Sequence, residues 1–145
     1  PAERRDAYER AASKQLLICP GCEAELVRAL GAEGTLYLRI SGIGAVPAIE
    51  AALRQAAGRL RLVLPKSYLG QNPFIDELQR AGARVRYLPY DYDGLLLITE
   101  TLVLAGSVRL EPGINHSRQV AVRETATSQW RRLFEKEWEA SNDGS

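Results

Sequence analysis

The chain has 145 residues, about the length of one domain with one core. Its 46% hydrophobic and 26% charged residues exclude the disordered class. With 19 basic against 18 acidic side chains the net charge is +1, which excludes a globally basic nucleic-acid binder while leaving room for a local patch. No apolar run approaches the ~20 residues of a transmembrane helix and no signal peptide is visible; a cytoplasmic protein without membrane contact is expected, with the mature form of a secreted protein as the alternative. There is no methionine, even at the start, as in a processed or trimmed chain or a piece of a longer protein.

Residues 3–13 (ERRDAYERAAS) have the composition of a charged helix. Gln15 to Cys19 (QLLIC) is a short apolar run and reads as a buried strand, broken at Pro20-Gly21. Glu23 to Leu30 predicts a short helix with acids in its first turn, where the helix dipole favours them. Thr35 to Ser41 (TLYLRIS) is the next strand, and Gly42-Ile43-Gly44 turns the chain into an amphipathic helix over Val46 to Ala57. Ile49, Leu53, Ala56 and Ala57 mark its apolar face. Leu60 to Leu64 is a strand stopped by Pro65. Asn72-Pro73 starts a helix, Asn as N-cap and Pro at the first helical position, with Phe74, Ile75 and Leu78 pointing inward. Arg84 to Leu88 is the fourth strand. Strand and helix thus alternate at ~20–25 residues per unit, which predicts right-handed crossovers.

The pattern then changes. Leu95 to Ile98 and Leu102 to Ala105 are joined by Thr99-Glu100-Thr101, too short a link for a helix, and predict an antiparallel hairpin. Val120 to Arg123 is a further strand. Thr127 to Ala140 closes the chain as a helix with Trp130, Leu133, Phe134 and Trp138 as its buried stripe, and Ser141 to Ser145 is expected to fray. The fold class is α/β, a mixed, largely parallel sheet flanked by helices, with all of 1–145 in one domain.

Three stretches taken in order resemble one repeat of the phospholipase D-like superfamily: NPFIDELQRAGARVRYLP (72–89), the hairpin LLLITETLVLAGS (95–107) and QVAVRETATSQWRRLFEKEWEAS (119–141). The resemblance implies that family's α/β sandwich over 35–141, with 1–30 as an N-terminal helix-strand-helix extension and 142–145 as a tail. The family's signature is His-x-Lys, four residues, Asp, six residues, Gly-Ser. Counted back from Gly106-Ser107, it places Tyr92 at the His position, Gly94 at the Lys position and Thr99 at the Asp position. Arg109 stands where an Asn often follows the Ser. Family chemistry uses a His nucleophile, a second His as acid and lysines on the phosphate oxygens. Tyr92 is a poor nucleophile near neutral pH with an ordinary pKa of about 10, and no His or Lys lies between Ser67 and Asn115. The resemblance therefore implies a degenerate repeat.

Several residues compete for a site. Ser107, Arg109, His116 and Arg118 could form an anion pocket, since guanidinium forks suit phosphate oxygens; Arg109 and Arg118 read equally as strand-edge charges. His116, the only histidine, is a candidate nucleophile if two copies meet across a dimer axis, or a solvated loop residue. Cys19 and Cys22 lie between a strand and a helix, where redox pairs sit, but the intervening Pro-Gly reverses the thioredoxin order, and a structural or incidental pair is the favoured reading over a redox switch. One His and two Cys cannot build a zinc site within this chain. Gly42-x-Gly44-x-x-Pro47 nearly fits a dinucleotide fingerprint, yet the third Gly is missing and the following strand ends Leu64-Pro65-Lys66 with no acid. Asp91 and Asp93 read as turn residues rather than metal ligands. No metal and no cofactor are expected.

Three functions remain open. The first is a non-enzymatic domain for anion sensing or dimerisation, similar to the effector parts of some winged-helix transcription regulators, with a DNA-binding domain outside this chain. The second is a homodimeric phosphodiesterase or nuclease using His116. The third is a thiol redox module using Cys19 and Cys22.

Overall fold

A computed structural model describes residues 15–18, 22–44, 46–70, 72–92, 94–106, 120–124 and 127–142. Its strands are β1 (Gln15–Ile18), β2 (Leu36–Ile40), β3 (Leu60–Pro65), β4 (Arg84–Leu88), β5 (Leu95–Ile98), β6 (Val103–Gly106) and β7 (Val120–Glu124). Its helices are α1 (Cys22–Leu30), α2 (Pro47–Ala56), α3 (Pro73–Arg80) and α4 (Thr127–Ala140). The helix expected over 3–13 lies outside the described residues.

The strands form one mixed sheet in the order β1-β7-β6-β5-β2-β3-β4. Only β2–β3 and β3–β4 pair in parallel; β1–β7, β7–β6, β6–β5 and β5–β2 are antiparallel. Strand direction is nonetheless largely parallel, because β5 and β7 alone run against the others. The alternation of strand and helix holds for β2 to β4, where α2 and α3 make the crossovers. β1 is the exception, since it lies at the far edge against β7.

Three helices cover one face. Leu26 and Leu30 of α1, Ile49 and Leu53 of α2, and Ile75 and Leu78 of α3 pack on Leu36, Leu38, Leu62, Leu64, Val85 and Leu97. The start of α3 is as predicted: Asn72 Oδ1 accepts from the amides of Phe74 at 3.0 Å and Ile75 at 3.3 Å, with Pro73 next in the chain. Phe74 is only partly buried, packed at the margin of this core.

α4 alone covers the described part of the other face. Phe134 is fully buried among Tyr37, Val63, Leu88, Leu96, Ile98 and Val103, with Trp130 and Trp138 packed at the margin. Leu133, expected in the stripe, is 48% exposed. A helix lying in one groove buries the narrow i, i+4, i+8 row of 130, 134 and 138, and position 133 turns out of it. The expected fraying is also corrected at its start. Ser141 is buried, and Asn142 exchanges backbone hydrogen bonds with Tyr87 of β4 at 2.7 and 3.0 Å. Arg86 holds this end, donating from Nε to Ser141 Oγ at 2.8 Å and from Nη2 to its carbonyl at 2.6 Å. These bonds satisfy carbonyls that a frayed end would leave to water.

Candidate functional site

The hairpin register decides what can meet. Leu95 pairs with Gly106, so Gly94 and the end of β6 lie at one edge of the sheet, while Thr99 lies at the hairpin turn at the other. The edge holding Gly94 is also where β2 and β3 end, and the loops after β2, β3 and β4 converge there.

Tyr92, Gly94 and Thr99, which the sequence resemblance sets at signature positions, each make structural hydrogen bonds. The Tyr92 hydroxyl lies 3.0 Å from the Ile40 carbonyl and 2.9 Å from the Val63 carbonyl, and its one hydrogen serves both. The Arg39 guanidinium sits 3.8 Å above the Tyr92 ring and donates through Nε to Glu137 of α4 at 2.8 Å. Burial pushes the Tyr92 phenol well above its ordinary pKa, against the opposing pull of Arg39. A neutral, doubly bonded phenol is not a nucleophile. Gly94 has φ of 100°, a conformation that favours glycine, and its amide donates to Ser41 Oγ at 3.0 Å while its carbonyl accepts from the Ser41 amide at 3.0 Å. A lysine here would be strained at the backbone. Thr99 is buried, and its Oγ1 accepts from the amides of Thr101 at 3.2 Å and Leu102 at 3.1 Å, shaping the turn.

The loop after β2 is equally committed. The Ile43 amide donates to the Tyr68 hydroxyl at 3.0 Å, and the Val46 amide to the Gly44 carbonyl at 2.8 Å. With the Ser41 amide also bonded, three of the amides that would cradle a dinucleotide's phosphates are spent inside the protein. Among the described residues no cluster of His, Cys, Asp and Glu could hold a metal ion. Asp91 is exposed, while Asp93 is outside the described residues.

The residues singled out for anion binding, Ser107, Arg109, His116 and Arg118, all lie outside the described residues, as does Cys19. Cys22 is described only as the first residue of α1. Sequence reasoning missed Ser41, Arg39 and Glu137. The signal for Arg39 was a lone charge on one face of the otherwise apolar strand LYLRI.

Architecture and hairpin together define the phospholipase D-like fold. No protein-family model matches the sequence, and no curated protein matches it either. Among solved structures the chain is similar to NucT from Helicobacter pylori, with a TM-score of 0.75 and 15% identity over 90% of this chain and 98% of that one. It is similar to Nuc from Salmonella typhimurium, a phospholipase D family member, with a TM-score of 0.74 and 17% identity over 90% of this chain and 97% of that one. It is also similar to TrmBL2, an archaeal chromatin protein with a novel mode of DNA binding, with a TM-score of 0.65 and 16% identity over 90% of this chain and 54% of that one. Among the described residues no helix is long and apolar enough to cross a membrane.

Proposed function

We propose that this chain is a single, non-catalytic domain of phospholipase D-like fold that senses an anion and pairs with a second copy, as the effector part of a larger regulator. The observation that carries the reading is the Tyr92 clamp: a neutral phenol is bonded to carbonyls of β2 and β3, and the resemblance to the family's signature sets this residue at the nucleophile's position. Gly94 and Thr99 support it, since neither supplies charge or a proton at the corresponding positions. In this reading Ser107, Arg109, His116 and Arg118 bind the anion, a phosphate-bearing one by the chemistry of arginine forks. The likeness to just over half of TrmBL2 supports a domain joined to a DNA-binding partner. Fold likeness alone is an analogy for function.

A second reading, a homodimeric phosphodiesterase using His116, is favoured by the likeness to nearly the whole length of NucT and Nuc. Hydrolysis of bis(p-nitrophenyl) phosphate and of single-stranded DNA, without added metal, separates the two. Neither the wild type nor His116→Ala is expected to turn over. Hydrolysis by the wild type that His116→Ala abolishes would establish the enzyme and overturn the sensor.

A further inference from the structure

The opposite edge of the sheet, where β2, β3 and β4 begin, carries an arrangement that this reading does not use. Arg61 and Arg84 are directly paired in the parallel ladder, so their side chains leave the same face about 4.8 Å apart at the backbone. Like charges placed so are mutually unfavourable. With Arg59, Thr35, Gly58 and Gly82 they line a cleft of about 210 Å³ that has no carboxylate in its lining among the described residues.

The three arginines are held differently. Arg59 is fixed by the end of α1: Nη2 donates to the Leu30 carbonyl at 3.1 Å, and Nη1 to the carbonyls of Ala32 and Gly34. The Arg61 guanidinium lies 5.5 Å from the Tyr37 ring and 5.9 Å from the Trp138 ring. Those contacts orient it without neutralising it. The exposed Arg84 side chain has no hydrogen bond or ion pair among the described residues. Gly82, also in the lining, has φ of +109°, and a Cβ on it would stand 3.3 Å from Gly58 Cα. Two bare backbones therefore meet in the lining of the cleft.

We infer that this cleft is an anion site in which Arg61 and Arg84 grip a phosphate group from two sides, Arg59 adding positive potential from behind. The ligand class is a small phosphate compound. The volume is below the ~300–1,000 Å³ of sites that enclose a whole drug-sized molecule, so an ion-sized group enters and the rest of a larger ligand stays outside. An anion also removes the repulsion between the paired guanidinia.

Titration calorimetry with inorganic pyrophosphate at low ionic strength tests the site. The wild type binds, and Arg84→Gln weakens binding about tenfold or more, the loss of a charge-assisted hydrogen bond. Arg84→Glu abolishes binding and raises the thermal midpoint of the ligand-free protein, because the new carboxylate faces Arg61. That rise separates an anion grip from a packing role, since Arg84 is exposed in the native fold. No heat with the wild type, or equal affinity in all three proteins, overturns the site. Loss of binding in Arg118→Gln with Arg84→Gln unaffected assigns the ion to the hairpin edge instead and overturns it too. So does binding of a single-stranded oligonucleotide where pyrophosphate fails, because the surface would then track a polymer.

Discussion

The face of the sheet under α1, α2 and α3 receives Leu36, Leu38, Leu62, Leu64, Val85 and Tyr87 from three strands. The face under α4 receives Tyr37, Arg39, Arg61, Val63, Arg84 and Arg86 from the same strands. Three helices supply enough apolar surface to bury every residue opposite them. On the other face α4 is the one described helix, and there several strand arginines set their guanidinia against rings, as Arg39 does at Tyr92, Arg61 at Tyr37, and Arg86 at Trp138 with 5.4 Å separation. Arg131 of α4 joins them, 5.8 Å from Tyr37, and its buried Nε has no hydrogen-bond partner among the described residues. The first face is therefore committed to stability, and the second carries charge that can be put to use.

The largest effects break this contrast at its two centres. Phe134→Ala removes the fully buried aromatic of α4 and is expected to cost about 3–5 kcal/mol, while Leu62→Ala on the opposite face costs about 2–5 kcal/mol. Urea unfolding measures both. A smaller loss from Phe134→Ala than from Leu62→Ala would mean that α4 contributes less than its burial implies. Next comes Tyr92→Phe, which takes one hydroxyl from two carbonyls and is expected to cost about 1 kcal/mol.

The same variant changes the pH profile. The folded-state pKa of Tyr92 is raised, and burial raises that of Tyr87 as well. The unfolded chain therefore ionises first, near the ordinary tyrosine value of about 10. This contribution is whole below that pH and is lost above it. Unfolding midpoints measured from pH 8 to 11 should fall at the alkaline end, and Tyr92→Phe should fall less steeply, Tyr87 keeping the remainder. The smallest effect is at the exposed Arg54–Glu77 pair, 2.6 Å apart on the surface of α2 and α3. Arg54→Gln should leave the thermal midpoint unresolved from wild type, because water screens such pairs.

Much of this fold was legible because local signals agreed with one another. Asn72-Pro73 marked the start of α3, the short Thr99-Glu100-Thr101 link required a hairpin, and the apolar row of α2 was read correctly at Ile49, Leu53 and Ala56, with Ala57 buried just past the helix end in a 3-10 turn. Pairing at a distance was not legible. Nothing in QLLI distinguishes a strand beside β2 from one beside β7. Leu133 was misplaced because helical periodicity does not say how wide a groove the helix will meet. The Tyr92 position could be counted from Gly106-Ser107, but its role needed two carbonyls from strands far away in sequence. The alternating arginines of RLRLVLP and RVRYL were visible as letters, and their meaning depended on the register that sets Arg61 beside Arg84.

β1 lies at the edge of the sheet, paired with β7, a strand more than a hundred residues later. Closing so long a loop is entropically costly before any contact repays it. As the chain emerges from the ribosome, β2, β3 and β4 can assemble and the β5–β6 hairpin can add to them before β7, the strand that β1 pairs with, exists. The earliest of the described strands is thus among the last to find its ladder, and its hydrogen-bonding groups wait until β7 has been synthesised.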